Sequence, residues 1–316
     1  MLKTVFMFSG QGSHYYQMGR ALYAQPGVFR SQMDYLGGIV RELCGCSIVD
    51  ELYDPRRGKA DLLDRTILTH PGIFIVEIAL AKALIEKGLE PDIVLGASLG
   101  SFAAAALAGC ISVEDALEAL VRHAQALEER CPRGAMIAVL GDRRLCAESV
   151  FQPHCELAAV NFASHFVMAV RGDCLDRTEA ELRRRQLTFQ RLPVSFAFHS
   201  RWIDASREGL ESALARATIR LARIPIACCA QADIVTVVSA RHFWSACRDP
   251  ILFHKTILML ERSEAHRYVD VGPAGTCASF LKYALPTESA SRVRETLTPF
   301  GRDLANIASI TAGAAQ

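Results

Sequence analysis

Pro91-Asp92-Ile93-Val94-Leu95-Gly96-Ala97-Ser98-Leu99-Gly100 joins a short apolar run to a glycine-flanked serine, and the alanine-rich stretch Phe102–Leu107 follows it. The apolar run has the length and bounding residues of a buried strand. The alanine-rich stretch predicts a helix, stopped by Gly109. A buried strand that passes straight into a helix is the repeating unit of an α/β fold. Working outward, Val5–Phe8 predicts another strand. Ile73–Lys87 predicts a helix with Ile73, Val76, Leu80 and Leu84 on one face and Glu77 at the edge of that stripe. Downstream, Ser112-Val-Glu-Asp115 has the form of a capping box and opens a helix to about Arg130, which Cys131-Pro-Arg-Gly134 breaks. Tyr268–Val271 predicts a late strand. Strands alternating with helices imply a parallel sheet covered on both faces.

Residues 135–195 have a different rhythm. Ala135–Leu140, Leu157–Val160, Phe166–Val170 and Phe189–Val194 predict strands, and Arg144–Phe151 and Leu175–Arg185 predict helices. The order β-α-β-β-α-β is that of a ferredoxin-like unit. The expected architecture is therefore a large α/β domain, residues 1–134 and 196–305, carrying an inserted ferredoxin-like subdomain at 135–195. Residues 306–316 are expected to be a tail, frayed from Thr311 onward.

The chemistry concentrates at the first stretch quoted. Gly96-Ala97-Ser98-Leu99-Gly100 is a G-x-S-x-G sequence between a strand and a helix, the setting of a nucleophile elbow. In such a turn the serine hydroxyl is exposed at the carboxyl end of the sheet. The amide of the next residue, Leu99, can then face a developing oxyanion. A tight glycine turn whose serine only caps the helix has the same spacing. A serine nucleophile needs a base, and nine histidines are available. His199, in Phe196-Ala-Phe-His199-Ser, lies where the chain re-enters the large domain, a common setting for a site. Phe8-Ser-Gly-Gln11-Gly-Ser13 follows the first strand and can bring backbone amides into a cleft. It lacks the Lys-Ser/Thr of a P-loop and the third glycine of a dinucleotide fingerprint.

The bulk numbers exclude several classes. Lys plus Arg is 35 against 34 for Asp plus Glu, which offers no electrostatic footprint for nucleic acid or an anionic membrane. No apolar run is expected to span a membrane. The 11 cysteines include no C-x-x-C pair and no zinc spacing, so we expect a reduced, cytoplasmic protein without structural metal or cofactor.

Taken together, Gly10-Gln11-Gly12-Ser13, Thr69-His70-Pro71, the Ser98 pentapeptide, Ala197-Phe198-His199-Ser200 and Val271-Gly272-Pro273 resemble the malonyl-CoA:acyl-carrier-protein acyltransferase family, from about residue 4 to 300. The resemblance implies an α/β-hydrolase-like large domain with a ferredoxin-like insert. It implies that Ser98 takes an acyl group from a thioester, with His199 as base and the amides of Gln11 and Leu99 as the oxyanion hole. It further implies backbone carbonyls in Pro250-Ile251-Leu252, Leu252 among them, to orient His199, and a cleft asparagine at Asn161. The implied partner is an acyl carrier protein bearing a phosphopantetheine thioester, with acyl-CoA as an alternative donor.

The chain departs from the family pattern in three places. The elbow usually reads Gly-His-Ser, where this chain has Ala97. The residue after the second elbow glycine is usually Glu, and here it is Ser101. Malonyl-transferring members carry an arginine for the malonyl carboxylate at the position of His123. Ala116, Leu120, His123 and Leu127 form an inward helical stripe, whereas Arg122 falls on the polar face within reach of Glu118. Arg122 is therefore no substitute for the missing clamp. His70, Ala97, Phe198, Asn161 and His123 are the expected substrate-binding residues. The missing arginine, with Leu192-Pro-Val-Ser-Phe-Ala-Phe-His199-Ser200, Phe162-Ala-Ser-His165-Phe-Val and Thr298-Pro-Phe300, is similar to the acyl hydrolase branch that accompanies trans-acyltransferase polyketide synthases. Three readings follow: hydrolysis of acyl groups from carrier proteins, transfer of an acyl group to a carrier protein, and a silent module that only docks carrier proteins.

Overall fold

Five parallel strands and one antiparallel edge strand form the large sheet. In spatial order they are Arg292–Glu295, His266–Asp270, Lys3–Phe8, Ile93–Gly96, Ile226–Cys228 and Asp233–Val235, the last antiparallel. The computed structural model describes residues 2–312. The central strand Lys3–Phe8 is apolar at every position after Thr4 because both faces of the sheet are covered. Phe6 and Phe8 enter the main core, whereas Val5 and Met7 enter a second core with Leu95, Phe253 and Tyr268 on the other face.

The helix expected over 73–87 begins earlier, at Thr66, and runs to Glu86. His70 and Pro71 lie inside it. Pro71 is the sixth residue, just past the N–H groups that have no intrahelical partner, so it removes the one bond its amide would give to Ile67. The helix is buried nearly all round, so Glu77 lies fully inside the protein and not at the edge of a stripe. Its length and hydropathy match those of a membrane-crossing helix, contrary to the expectation from sequence. Two charges, Glu77 and Lys82, interrupt its apolar run and mask it. In the structure its flanks pack on helices Val28–Cys44 and Val113–Arg130. Helix Val113–Arg130 begins as expected, with the Asp115 amide donating to Ser112 Oγ at 3.0 Å.

The second sheet holds strands Cys155–Phe162, His165–Arg171, Gly134–Leu140 and Thr188–Arg191 in that spatial order, all antiparallel. This is the ferredoxin-like order. One face packs on its own core, including Ile137, Val139, Phe166 and Met168. The first expected helix is reduced to a 3-10 turn, Arg143–Ala147, capped by Asp142. The last strand stops at Arg191, because Pro193 cannot donate to the ladder. Ile251 stitches this sheet to the large domain. Its amide donates to the Ala158 carbonyl at 2.9 Å, and its carbonyl accepts from the Val160 amide at 2.8 Å.

The expected tail is partly helix. Asp303–Thr311 buries Ile307 and Ile310 at i, i+3 spacing, which gives residues 306–311 a packing role. The rest of the expected frayed tail, from 313, lies outside the described residues.

Candidate active site

Phe8 and Gly96 are register partners at the ends of adjacent parallel strands. The segments that follow, Ser9–Ser13 and Ala97–Gly100, therefore leave the sheet side by side at its carboxyl end, where α/β folds place ligands. Glycine permits the contact. A Cβ on Gly10 would lie 2.7 Å from Ser98 Cβ, one on Gly96 2.4 Å from Ser101 Cα, and one on Gly100 2.2 Å from the Phe8 oxygen. Gly100→Ala should lower the chemical denaturation midpoint by the equivalent of about 1–3 kcal/mol, because the clash is with backbone and no rotamer relieves it. An unchanged midpoint would mean that the elbow and the first strand are free to separate.

Ser98 sits at φ +56° and His199 at φ +58°. Both are left-handed conformations that cost a non-glycine residue energy and persist only where the surroundings hold them. Ser98 Oγ lies 2.8 Å from His199 Nε2, and His199 Nδ1 lies 2.7 Å from the Asp249 carbonyl. A carbonyl only accepts, so Nδ1 carries the proton and Nε2 presents its lone pair to the serine. That is the tautomer a general base needs. Burial pushes the His199 pKa down to about 4, opposed by the Asp249 carbonyl. The ring is therefore neutral near pH 7.

The orienting carbonyl corrects the expectation. It belongs to Asp249, not Leu252, whose carbonyl accepts from the Thr256 amide and opens helix Phe253–Glu261. Pro250 supplies the reason. The residue before a proline is driven out of the helical region, and Asp249, with φ −83° and ψ 157°, ends helix Ala240–Arg248 with its carbonyl turned away. The Pro-Ile-Leu stretch drew attention to the right loop, but the signal lay in the residue before the proline.

In the elbow turn, Gly100 N donates to the Ala97 carbonyl and Ser101 N to the Ser98 carbonyl. The amides of Leu99 and Gln11 take part in none of the turn and loop hydrogen bonds among the described residues. The Gln11 side chain donates to Thr69 Oγ1 at 2.8 Å and to His70 Nδ1.

A cavity of about 210 Å³ opens at Ser98. Alternate residues of the small sheet form one wall: Met136 and Ala138, Ala159 and Asn161, His165 and Val167. Period-2 alternation explains the set, since the other face of the same strands packs inward. Ile251, Phe253 and Phe280 contribute from the large domain, and Ala97 and Phe198 also line the cavity. Asn161 Nδ2 lies 3.0 Å from His165 Nδ1 at this wall. Among the described residues, no lysine or arginine lines the cavity.

His70 and His123 are not brought to the cavity wall. The His70 ring packs, tilted by 37°, against Phe198 at 5.7 Å between centroids, and His123 lies against His70 at 5.6 Å. His123 is satisfied where it is. Its Nε2 lies 3.1 Å from Ser206 Oγ, and its Nδ1 lies 3.9 Å from Cys247 Sγ. Burial pushes its pKa down to about 4. The inward stripe places His123 on the buried side, where its ring packs against His70 and Trp244 and is not part of the cavity lining. Arg122 pairs with Glu118 at 3.7 Å on the polar face.

A family model described as "Acyl transferase domain" matches residues 5–312. The chain is 40% identical over 307 residues to the polyketide biosynthesis acyltransferase homolog BaeD of Bacillus velezensis, covering 97% of this chain and 95% of that protein. It is 37% identical over 305 residues to the polyketide biosynthesis acyltransferase homolog PksD of Bacillus subtilis, covering 96% and 94%. Among solved structures, a loading acyltransferase from the avermectin modular polyketide synthase superposes with a TM-score of 0.89 at 25% identity, over 99% of this chain and all of that one (100%).

Proposed function

The chain belongs to the acyl transferase domain family, and on that premise we propose that it is a serine enzyme of polyketide biosynthesis that hydrolyses uncharged acyl groups from acyl carrier proteins. Ser98 Oγ attacks the thioester carbonyl while His199 Nε2 takes its proton. The amides of Gln11 and Leu99 stabilise the oxyanion. The pantetheine thiol leaves with the proton from His199. Water, deprotonated by the same histidine, then attacks the acyl-Ser98 ester, and His199 returns that proton to Ser98 Oγ as the ester bond breaks and the acid is freed.

The carrying observation is a cleft without a cation. A malonyl carboxylate entering it would lose its water and meet no guanidinium. An uncompensated buried charge costs about 3–5 kcal/mol, or about 10²- to 10⁴-fold in rate. An acetyl or longer neutral chain meets only Phe198, Ile251, Met136 and similar surfaces. His123→Arg should not by itself create malonyl selectivity, because position 123 does not line the cavity. The names of the Bacillus relatives favour the second reading, transfer to a carrier protein. The same Ser98 ester serves both reactions. The Ser98–His199 contact at 2.8 Å weighs against a silent docking module.

The test is a carrier protein loaded with acetyl or malonyl groups and followed by intact mass, with free unloaded carrier present. We expect acetate released as free acid and malonyl-carrier at least about 10²-fold more persistent. Acyl groups accumulating on the free carrier would make transfer the correct reading, and rapid malonyl loss would refute the selectivity.

A further inference from the structure

Beneath the Gly10–Gln11 loop lies a line of buried polar groups that the chemistry above does not use. Ser13 Oγ donates to the Gly10 carbonyl at 2.8 Å, Ser9 Oγ lies 3.0 Å from Ser13 Oγ, and Ser9 Oγ lies 3.0 Å from Glu77 Oε1. The Ser9 amide also donates to Glu77 Oε1, at 2.7 Å. Ser9, Ser13 and Glu77 are all buried.

Protons can be counted along this line. Each hydroxyl has one to give. That of Ser13 goes to the Gly10 carbonyl, so the Ser9–Ser13 contact requires the proton of Ser9. Ser9 must then accept at its contact with Glu77, and only a carboxylic acid can donate there. If Glu77 were ionised, Ser9 would turn its proton to the carboxylate, and two hydroxyl oxygens would face each other 3.0 Å apart with no proton between them. Glu77 Oε2 has no hydrogen-bond partner. This is tolerable for the carbonyl of a neutral acid and costly for half of a carboxylate.

We propose that Glu77, Ser9 and Ser13 form a one-way hydrogen-bond relay, ending on the Gly10 carbonyl, that orients and polarises the Gly10–Gln11 peptide whose N–H stabilises the oxyanion. The carbonyl that accepts from Ser13 and the Gln11 amide proposed as oxyanion donor belong to one planar unit. A donor on its oxygen fixes the plane and strengthens the N–H as a donor, and hydrogen bonds in a chain reinforce each other in a dry interior. Burial pushes the Glu77 pKa well above the ordinary carboxylate value; the Ser9 contacts pull it back in part, and Asp270 nearby adds to the rise. These are positioning residues. Their proposed effect on rate rests on Ser98 being the nucleophile and Gln11 the oxyanion donor.

The experiment measures two signals in the full-length enzyme: the backbone ¹⁵N shift of Gln11, assigned with Gln11→Asn, and the single-turnover rate of Ser98 acylation. Ser13→Ala should move the Gln11 resonance and slow acylation about five- to tenfold, the worth of one neutral hydrogen bond, with thioester KM unchanged. Ser13→Thr should restore both. Glu77→Gln should act like Ser13→Ala, because the atom that gives its proton to Ser9 Oγ also accepts from the Ser9 amide and neither end of a carboxamide can do both; Glu77→Leu should do the same. The Ser13 variants decide the matter if Glu77→Leu does not fold. An unmoved Gln11 resonance, or wild-type acylation in Ser13→Ala, overturns the relay. An acyl adduct that survives in Ser98→Ala overturns the serine assignment instead, and the Gln11 resonance still judges the relay itself.

Discussion

Ser98→Ala should remove both the acyl-enzyme adduct and turnover, lowering kcat by at least about 10⁴-fold, the scale on which a serine–histidine unit fails when its nucleophile is removed. The expectation rests on how much of the local structure exists to present this one hydroxyl. Ser98 is held at φ +56°, between glycines at 96 and 100 that any side chain would force out of contact. A turn whose serine only capped the helix would need neither the strained φ nor the histidine 2.8 Å away. The check is mass spectrometry of a Ser98-containing peptide after mixing with acyl thioester, alongside steady-state hydrolysis. A variant that still turned over would place the nucleophile elsewhere.

His199→Ala should cut kcat by at least about 10²-fold, the usual contribution of a positioned general base. The wild-type pH profile carries the sharper expectation. An unperturbed imidazole titrates at about 6.5, but burial pushes His199 down to about 4. The base works when neutral, so activity should hold as pH falls through 6.5 and decline only toward pH 4. Stability moves in the same range and must be separated from it. His14 and His123 are also pushed down to about 4 by burial. Their folded-state pKa values lie below the unfolded value of about 6.5. Their contribution is therefore complete above 6.5 and erodes as pH falls from there toward 4. Short assays after a pH jump, with folding followed in parallel, distinguish the two. An acid limb at 6.5 with the fold intact would show that His199 is more hydrated than its surroundings imply.

The elements legible in the sequence were those set by local pattern. The strand–serine–helix junction, the Ser112 cap and the β-α-β-β-α-β rhythm of the small sheet all depend on neighbours within a few residues. Ser98 and His199 were found through such junctions, and the sheet brings them together. What escaped had long-range causes. The true start of the helix at Thr66 was hidden because Thr-His-Pro has the look of a break, and the packing around it overrides the proline. Asp249 was missed because a backbone carbonyl has no residue-type signature. His123 lies on the buried face of its helix, yet nothing in its spacing shows that it packs against His70 away from the cavity lining. The cavity wall was not named as a set, because alternate positions on a strand acquire a common purpose only once the other face has a core to fill.

That two-sided use of the small sheet makes substrate range and folding separately adjustable. Positions 136, 138, 159 and 167 face the cavity at Ser98, while 137, 139, 166 and 168 hold the subdomain together. A library restricted to the first set can widen, narrow or charge the chamber without disturbing the second. Lineages diverging from such a scaffold could change the acyl group they accept through single exchanges on one face of one sheet, leaving the serine, its histidine and the carbonyl behind it in place.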